Sequence, residues 1–470
     1  MAKSLQTIAN RSDLQTKNKS SASLRFALAA LEDAIRSVDP YRLINGHVKL
    51  KHDNLLVSDI YGRRVVINLS NVRHTYVVGA GKASGKMAIA ITEILGNRVS
   101  KGAINVPYNS DIKSDLISFK EAGHPLPDQN GVIGTKKILS LLSRTSKSDL
   151  VVALISGGGS ALLPMPTDGI SLSEKQQFTR SLLLSGASIS EVNIVRKHLS
   201  AVKGGQLLNW IRPGCPVISL IISDVIGDDL SIIASGPTFP DESTFVQAKK
   251  ILEKYMIWDS NKEGIIAVRR IIEKGVNGII RETIKPGDNT ISNVNNFIIG
   301  NNEIACKAAV NRLKKMKVNT IYLGSTFGGL AADHGRYLAH LANQFSSNCL
   351  PSAFVLGGET VVKVEDTYQN STGGRNQEAV LSSGIANKHK EDVDLSVCCL
   401  GTDGIDGNST NAGAIITSRI FPLISANRQK YEGFLIRHDS SNALRELDSL
   451  IITGRTGTNV NDISMVVRVK

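Results

Sequence analysis

The sequence lacks any run of about 18 apolar residues, so it offers no membrane-spanning helix. Cysteine is scarce: Cys215, Cys306, Cys349, Cys398 and Cys399 show no paired metal-binding spacing, and there is no zinc cluster. Cys398 and Cys399 are adjacent in an expected strand and so point to opposite faces. The pattern reads as reduced, mostly buried thiols in a cytosol-like compartment. Aromatic residues make up only 5% of the chain, and no basic block is interleaved with them. The net charge of +13 is spread along the whole chain, which argues against a nucleic-acid partner. What remains is a basic but ordinary surface whose positive potential attracts anionic metabolites. No repeat at solenoid spacing occurs, and no Ser, His and Asp follow one another around a nucleophile elbow.

What is present is a chain of 470 residues, too long for one ordinary core, so two or more domains are expected. Residues 1–21 read as a flexible polar extension. They lack the Arg-rich apolar face of a mitochondrial leader, so a cytoplasmic location is preferred and import stays the alternative. A helix follows over Ser23 to Val38, with Leu24, Phe26, Ala27, Leu31 and Ile35 toward one side and Pro40 as its stop. The best linker is Lys285-Pro286-Gly287-Asp288-Asn289, which sets domains of 22–287 and 291–470. Strand, short loop and helix alternate through both, as in doubly wound, largely parallel sheets with flanking helices. In such sheets ligands sit beyond the carboxyl ends of the strands.

The most distinctive stretch is the apolar strand Val151 to Ile155 running into Ser156-Gly157-Gly158-Gly159-Ser160. Three glycines let successive N–H groups face one concavity beside two hydroxyls, an arrangement that suits an anion; a tight turn without a ligand is the plain alternative. A second such turn, Gly79-Ala80-Gly81-Lys82-Ala83-Ser84-Gly85-Lys86, follows the strand Tyr76-Val77-Val78. It is neither a Walker loop, since Gly81 and Gly85 enclose three residues and Met87 follows Lys86, nor a dinucleotide fingerprint, since Ser84 replaces the third glycine. Lys82 lies within the turn and can reach a ligand; Lys86 is expected to be exposed. In Gly123-His124-Pro125-Leu126-Pro127-Asp128, Asp128 can cap the next helix and His124 reads first as a turn residue. Further on, Arg196, Ser200 and Lys203 fall at helical spacing, forming either an anion clamp or a solvated basic face.

Acids close two strands. Asp224 follows Ile218 to Ile222, and Asp403 follows Val397 to Leu400 with Asp406 three residues on. Such positions suit Mg²⁺, a hard cation that usually arrives with phosphate. Asp228 and Asp229 are as well explained as turn caps. Arg375 stands at the turn Gly373-Gly374-Arg375-Asn376-Gln377-Glu378, before a helix. Anion nests, a lysine, an arginine and metal-ready carboxylates are the parts of phosphoryl transfer, which needs positioning and charge neutralisation more than a protein nucleophile.

These motifs, in this order, resemble the class II glycerate kinases over roughly residues 22 to 470. Gly79 to Ala83, Gly123 to Asp128, Ser156 to Leu163, Asn193 to Gly205 and Ser223 to Asp228 resemble the family's N-terminal half. Gly357 to Thr360, Gly373 to Glu378, Gly401 to Gly407 and Thr456 to Asp462 resemble its C-terminal "MOFRL" half. The sequence resembles the animal branch more than the short prokaryotic one. Arg455 and the segment 363–371 depart from the family pattern. The resemblance implies two Rossmann-like domains with the active site in the cleft between them. It implies an ATP-dependent, Mg²⁺-dependent kinase that converts D-glycerate to 2-phosphoglycerate. Lys82 and Arg375 match functionally important family residues, and Asp224 and Asp403 match acids of the same cleft, with magnesium as the metal they are expected to hold. Gly79, Gly81, Ser156, Gly157, Gly158, Gly159, Ser160, Arg196, Lys203, Asn376 and Glu378 complete the expected substrate- and phosphate-binding set. The expected partners are small molecules, with a homodimer left open. Two rivals stand beside this reading: a hydroxypyruvate reductase-type oxidoreductase and a non-catalytic sugar-acid sensor. The reductase needs an acid about 20 residues beyond the first glycine turn, and Asn97 to Ser100 offer none.

Overall fold

The computed structural model describes residues 7–18, 21–259, 263–344, 351–364, 371–387 and 393–469. The chain forms two compact units, one of residues 43–299 and one that joins residues up to 42 with residues 300–470. The first unit opens with a small antiparallel sheet of β1 (Val48–Lys51), β2 (Asn54–Ser58) and β3 (Arg64–Asn68). Its main sheet comprises β4 (Thr75–Ala80), β5 (Val99–Pro107), β6 (Ile117–Ala122), β7 (Leu150–Ser156), β8 (Val217–Ile222) and β9 (Val294–Gly300), in the order β6-β5-β4-β7-β8-β9. Strands β4 to β8 pair in parallel. Every residue of β7 and β8 is buried, as expected of apolar strands covered by helices on both faces. From β4 the chain winds outward through β5 and β6; from β7 it winds the other way. The order therefore reverses between β4 and β7, which is where such sheets bind ligands.

Four helices, Leu172–Leu184, Ile189–His198, Phe245–Lys254 and Glu263–Val276, pack around Phe178, Leu182, Val192, Val195, Phe245, Leu252, Val268 and Ile272. The first three begin with reciprocal caps, Ser171 with Glu174, Ser188 with Glu191 and Thr244 with Gln247.

The second unit carries β10 (Asn319–Tyr322), β11 (Ser352–Gly358), β12 (Asp394–Gly401), β13 (Gly413–Thr417), β14 (Leu450–Ile451) and β15 (Asp462–Val469), in the order β10-β11-β15-β12-β13-β14. The two-domain α/β architecture is as expected, but this sheet is not largely parallel. Only β10 and β11 pair in parallel, and the other four pairs are antiparallel. The physical reason is the connections. The helix-free segment 402–412 returns the chain directly from β12 to its neighbour β13, whereas 452–461 carries it from β14 past β13 and β12 to the slot between β11 and β12, where β15 runs opposite to both. The terminal run of β15 is buried from Asp462 to Arg468 and enters between β11 and β12.

The domain boundaries differ from those expected. Helix Ala22–Ser37 packs on β12, β15 and helix Asn302–Lys315, so it belongs to the second unit. Its start is tied down by Asp394, which accepts from Ser21 Oγ at 2.5 Å and from the Ala22 and Ser23 N–H groups at 2.7 and 3.1 Å. Residues 7–18 are not a loose extension. They form helix Arg11–Lys17 with Leu14 buried, Arg11 paired with Glu32, and Asn10 bonded to Leu450 and Ile452. The expected linker at 285–289 also fails as a boundary, because the chain continues from it into β9 of the same sheet.

Candidate functional site

The first unit gathers its polar groups where β4 and β7 end. Gly79 and Gly81 have φ of +157° and +145°, and a Cβ on either would lie 2.0 Å from Leu154 O or Ser156 Oγ. Glycine is thus required by the closeness of the neighbouring strand. The turn's donors are already used: Gly81 N–H donates to Asn105 O (3.3 Å), Lys82 N–H to Gly157 O (2.9 Å) and Ala83 N–H to Ser156 Oγ (3.0 Å). The expected anion nest at Gly79–Ser84 is therefore a splice between two turns. Ser156, fully buried, is part of that splice rather than a ligand group.

The second turn is different. Gly158 is left-handed (φ +82°), and a Cβ there would fall 2.9 Å from His124 Nε2 and 3.4 Å from Lys82 Cγ. Lys82 and His124 therefore flank this turn. Both are partly buried, and so, against expectation, is Lys86. Asp128 caps helix Gln129–Leu142 as anticipated, accepting from Gly131 N–H at 3.0 Å. Gly159 packs on Ala234, to whose Cβ an added methyl would come within 2.7 Å.

Ser160 is the hub. Its Oγ accepts from Arg196 Nη2 (2.8 Å) and Lys203 Nζ (2.9 Å) and lies 3.0 Å from Ser235 Oγ; Lys203 Nζ also donates to Ser160 O (2.6 Å). Arg196 and Lys203 thus meet, though not by sharing a helix: the helix stops at His198, and Lys203 lies in the turns beyond. Ser200 faces away and donates to Met165 O. Lys203 is only 1% exposed, and burial together with the charges of Arg196 and Lys175 pushes its amine well below the ordinary range. Lys175 is a residue the sequence reading missed. It shares the buried face of helix Leu172–Leu184 with Phe178 and Leu182, a lysine at i, i+3, i+7 spacing on an apolar stripe. That misplaced charge was a legible sign.

Asp224, partly buried, follows β8 as expected. Asp228 is occupied by the Tyr61 hydroxyl (2.6 Å), and Asp229 accepts from Ser231 N–H (2.8 Å) within its turn.

The second unit builds an acid-rich counterpart. Antiparallel register sets Asp462, at the start of β15, opposite Gly358 of β11 and Gly401 of β12. Arg375 opens helix Arg375–Ala386. It donates to both oxygens of Asp462 (2.5 and 3.1 Å) and to Glu359 (2.7 Å), and these acids hold its guanidinium charged despite burial. The Asp462 carboxyl is raised by burial, which outweighs the opposing pull of Arg375. Neither Asp462 nor Glu359 was singled out from sequence, although both lie in Gly- or Asn-rich turns at strand ends. Asp403 is partly buried; its Oδ1 and that of Asp462 both lie 3.4 Å from the point a Cβ on Gly401 would take.

Two expected ligand residues serve the scaffold instead. Asp406 accepts from the N–H groups of Asn376 and Gln377 and from both their side-chain amides, at 2.8–3.2 Å. The helix's anion position is thus filled by the protein's own carboxylate, raised to about 6 by burial. Asn376 contributes to that cap and its side chain also hydrogen-bonds Asp462. Glu378 pairs with His438 at 2.9 Å and is buried.

Among the described residues no three His, Cys, Asp or Glu come together as a metal-holding group, and no helix is long and apolar enough to cross a membrane.

Two family models match the chain: Domain of unknown function (DUF4147) over residues 26–270 and MOFRL family over residues 352–462. A protein of Pyrococcus horikoshii named glycerate 2-kinase is 38% identical, over 94% of this chain and 96% of its own length. The crystal structure of a glycerate kinase from Thermotoga maritima superposes with a TM-score of 0.79 at 37% identity, covering 95% of this chain and 99% of that one. A glycerate kinase of Danio rerio is 29% identical over 94% of this chain and 97% of its own length. A relative from Agrobacterium vitis, 36% identical over 83% of the chain and 98% of its own length, carries a hydroxypyruvate reductase name. The chain belongs to the class II glycerate kinase family, with a DUF4147 region followed by a MOFRL region.

Proposed function

We propose that the protein transfers the terminal phosphoryl group of ATP to D-glycerate, giving 2-phosphoglycerate and ADP. The observation that carries this reading is the cation-lined turn Gly157–Ser160 at the switch point of a parallel sheet, with Lys82, Arg196 and Lys203 gathered on it. Such a site suits a reaction that develops and moves negative charge. In the proposed reaction a glycerate hydroxyl oxygen attacks the γ-phosphorus, the bond to the β,γ-bridging oxygen breaks, and the hydroxyl proton passes to a carboxylate. Lys82 neutralises the transferring phosphoryl group, and Arg196 and Lys203 hold an anionic end of a substrate. Arg375, oriented by Asp462 and Glu359, contributes to holding the phosphoryl group or the glycerate carboxylate. Asp224 and Asp403 orient the hydroxyl or hold magnesium. Asp224 and Asp403, each a partly buried carboxylate just beyond a strand end, are hard oxygen donors that would hold a magnesium ion arriving with the nucleotide phosphates. Magnesium bound in this way supplies further neutralisation of phosphate charge.

A reductase reading is supported by the name of the Agrobacterium relative. It is opposed by the first glycine turn, whose N–H groups are engaged by Asn105 of β5, Ser156 of β7 and Gly157, and by β5 itself, which contains no acid to hold a ribose. Phosphorus NMR of the products from ATP, Mg²⁺ and D-glycerate tests the proposal directly. A 2-phosphoglycerate resonance is expected, and it should fall by orders of magnitude in Lys82→Ala and Arg375→Ala variants that stay folded. Intact ATP, with tight NADPH binding in a fluorescence titration, would replace the kinase by a reductase. Glycerate binding with intact ATP and no NADPH binding would leave a sensor.

A further inference from the structure

Buried basic side chains in the first unit fall into two sets. Lys197 pairs with Asp241 (3.1 Å) and His198 Nε2 lies 3.0 Å from Glu282, each facing its own acid. Lys175, Arg196 and Lys203 are different: among the described residues none has a carboxylate partner. Arg196 and Lys203 rest on the oxygens of Ser160, and Lys175 Nζ is fully enclosed with no hydrogen-bond partner at all. Lys175 is only 6% exposed, yet it lies close enough to Arg196 and Lys203 for their charges to act on one another. A buried cation without a counter-charge is costly, and a buried cation facing two others is more so. Scaffold needs do not explain it, since the neighbouring lysine and histidine carry their own acids.

We propose that Lys175, Arg196 and Lys203 form one site for a dianionic phosphoryl group, with Lys175 as the specificity-determining residue that favours a dianion over a carboxylate. The proposal rests on the kinase reading for its ligand class and adds the residue that sets it. A carboxylate brings one negative charge to three cations; a phosphoryl dianion brings two and a tetrahedron of acceptor oxygens, which can reach donors arriving from different elements. The phosphoryl group comes either from the nucleotide or from the phosphorylated product.

The test uses the full-length protein and Lys175→Met, an apolar side chain of similar length, with Lys175→Gln as a neutral polar second variant. Sulfate, a dianion at neutral pH, and acetate are the calorimetric probes at pH 7. The expected result is that either substitution weakens sulfate about tenfold or more and acetate by less than about threefold. Lys175→Met should also melt no lower than wild type in the absence of anion, because it removes an enclosed, unpaired amine. Inhibition by a non-hydrolysable ATP analogue and by 2-phosphoglycerate identifies the source: weakening of either alone supports the site and names its occupant. Sulfate affinity unchanged in both variants, or acetate weakened as much as sulfate, overturns the proposal, as does Lys175→Met melting lower with sulfate binding intact. Glycerate turnover measured on the same wild-type preparation separates the two levels. Turnover with sulfate binding indifferent to Lys175 sinks only this assignment, whereas no turnover sinks the kinase reading.

Discussion

Removing the Ser160 hydroxyl isolates the one oxygen that holds Arg196 and Lys203 together. In Ser160→Ala, Lys203 keeps only the Ser160 carbonyl, and Arg196 loses the oxygen 2.8 Å from its Nη2. A hydrogen bond to a charged group contributes about 1.5–3 kcal/mol, and loss is complete only where water cannot substitute. Lys203, 1% exposed, has no access to bulk water, whereas Arg196 is partly buried and recovers some of its loss by solvation. The expected destabilisation of the ligand-free first unit is therefore about 2–4 kcal/mol, less than two full charged bonds and more than one neutral bond. The two tryptophans, Trp210 and Trp258, both lie in the first unit, so fluorescence during urea unfolding reports on that unit alone. The reasoning fails if the loss is below about 0.5 kcal/mol, the range of an ordinary surface substitution. That result would mean that solvent, not Ser160, holds the two cations.

The same unit should grow more stable as pH rises. Lys175 is lowered from 10.5 to about 7, by burial first and Arg196 second, so between those values the unfolded chain binds more protons than the folded one. The penalty is full below pH 7 and fades toward pH 10.5; Lys203 is lowered in the same direction and keeps part of this dependence, so urea midpoints at pH 7 and 9 should differ more in wild type than in Lys175→Met, and equal differences in the two would refute the assignment. Gly81→Ala should destabilise the same unit by about 3 kcal/mol or more, since its Cβ would stand 2.0 Å from Ser156 Oγ at a φ of +145° and would prise apart the Lys82–Gly157 and Ala83–Ser156 bonds. A urea midpoint by tryptophan fluorescence within experimental error of wild type would show that the two turns are not spliced as described.

The sequence alone carried the family, through long motifs in order, and most of the chemistry-bearing loops. It did so because strands that are apolar throughout, followed by glycine turns, are local patterns. Parallel pairing in most of the first sheet followed from the same patterns, since helices separate β4 from β5, β6 from β7 and β7 from β8; β5 and β6 are parallel neighbours joined without one. Tertiary structure decided what local pattern cannot carry. It placed the terminal strand antiparallel in the middle of the second sheet, and so brought Asp462 to Arg375 across 87 residues of sequence. Helix Ala22–Ser37 went to the far end of the chain, because an acid at position 394 caps it. Among the glycine turns, packing separated a splice from an open site, because whether an N–H is free depends on what the neighbouring strand offers. The pairing of buried basic groups was settled in the same way: that Lys197 found an acid, while Arg196 and Lys203 rest on Ser160 and Lys175 meets no partner among the described residues, is a fact about distances between elements.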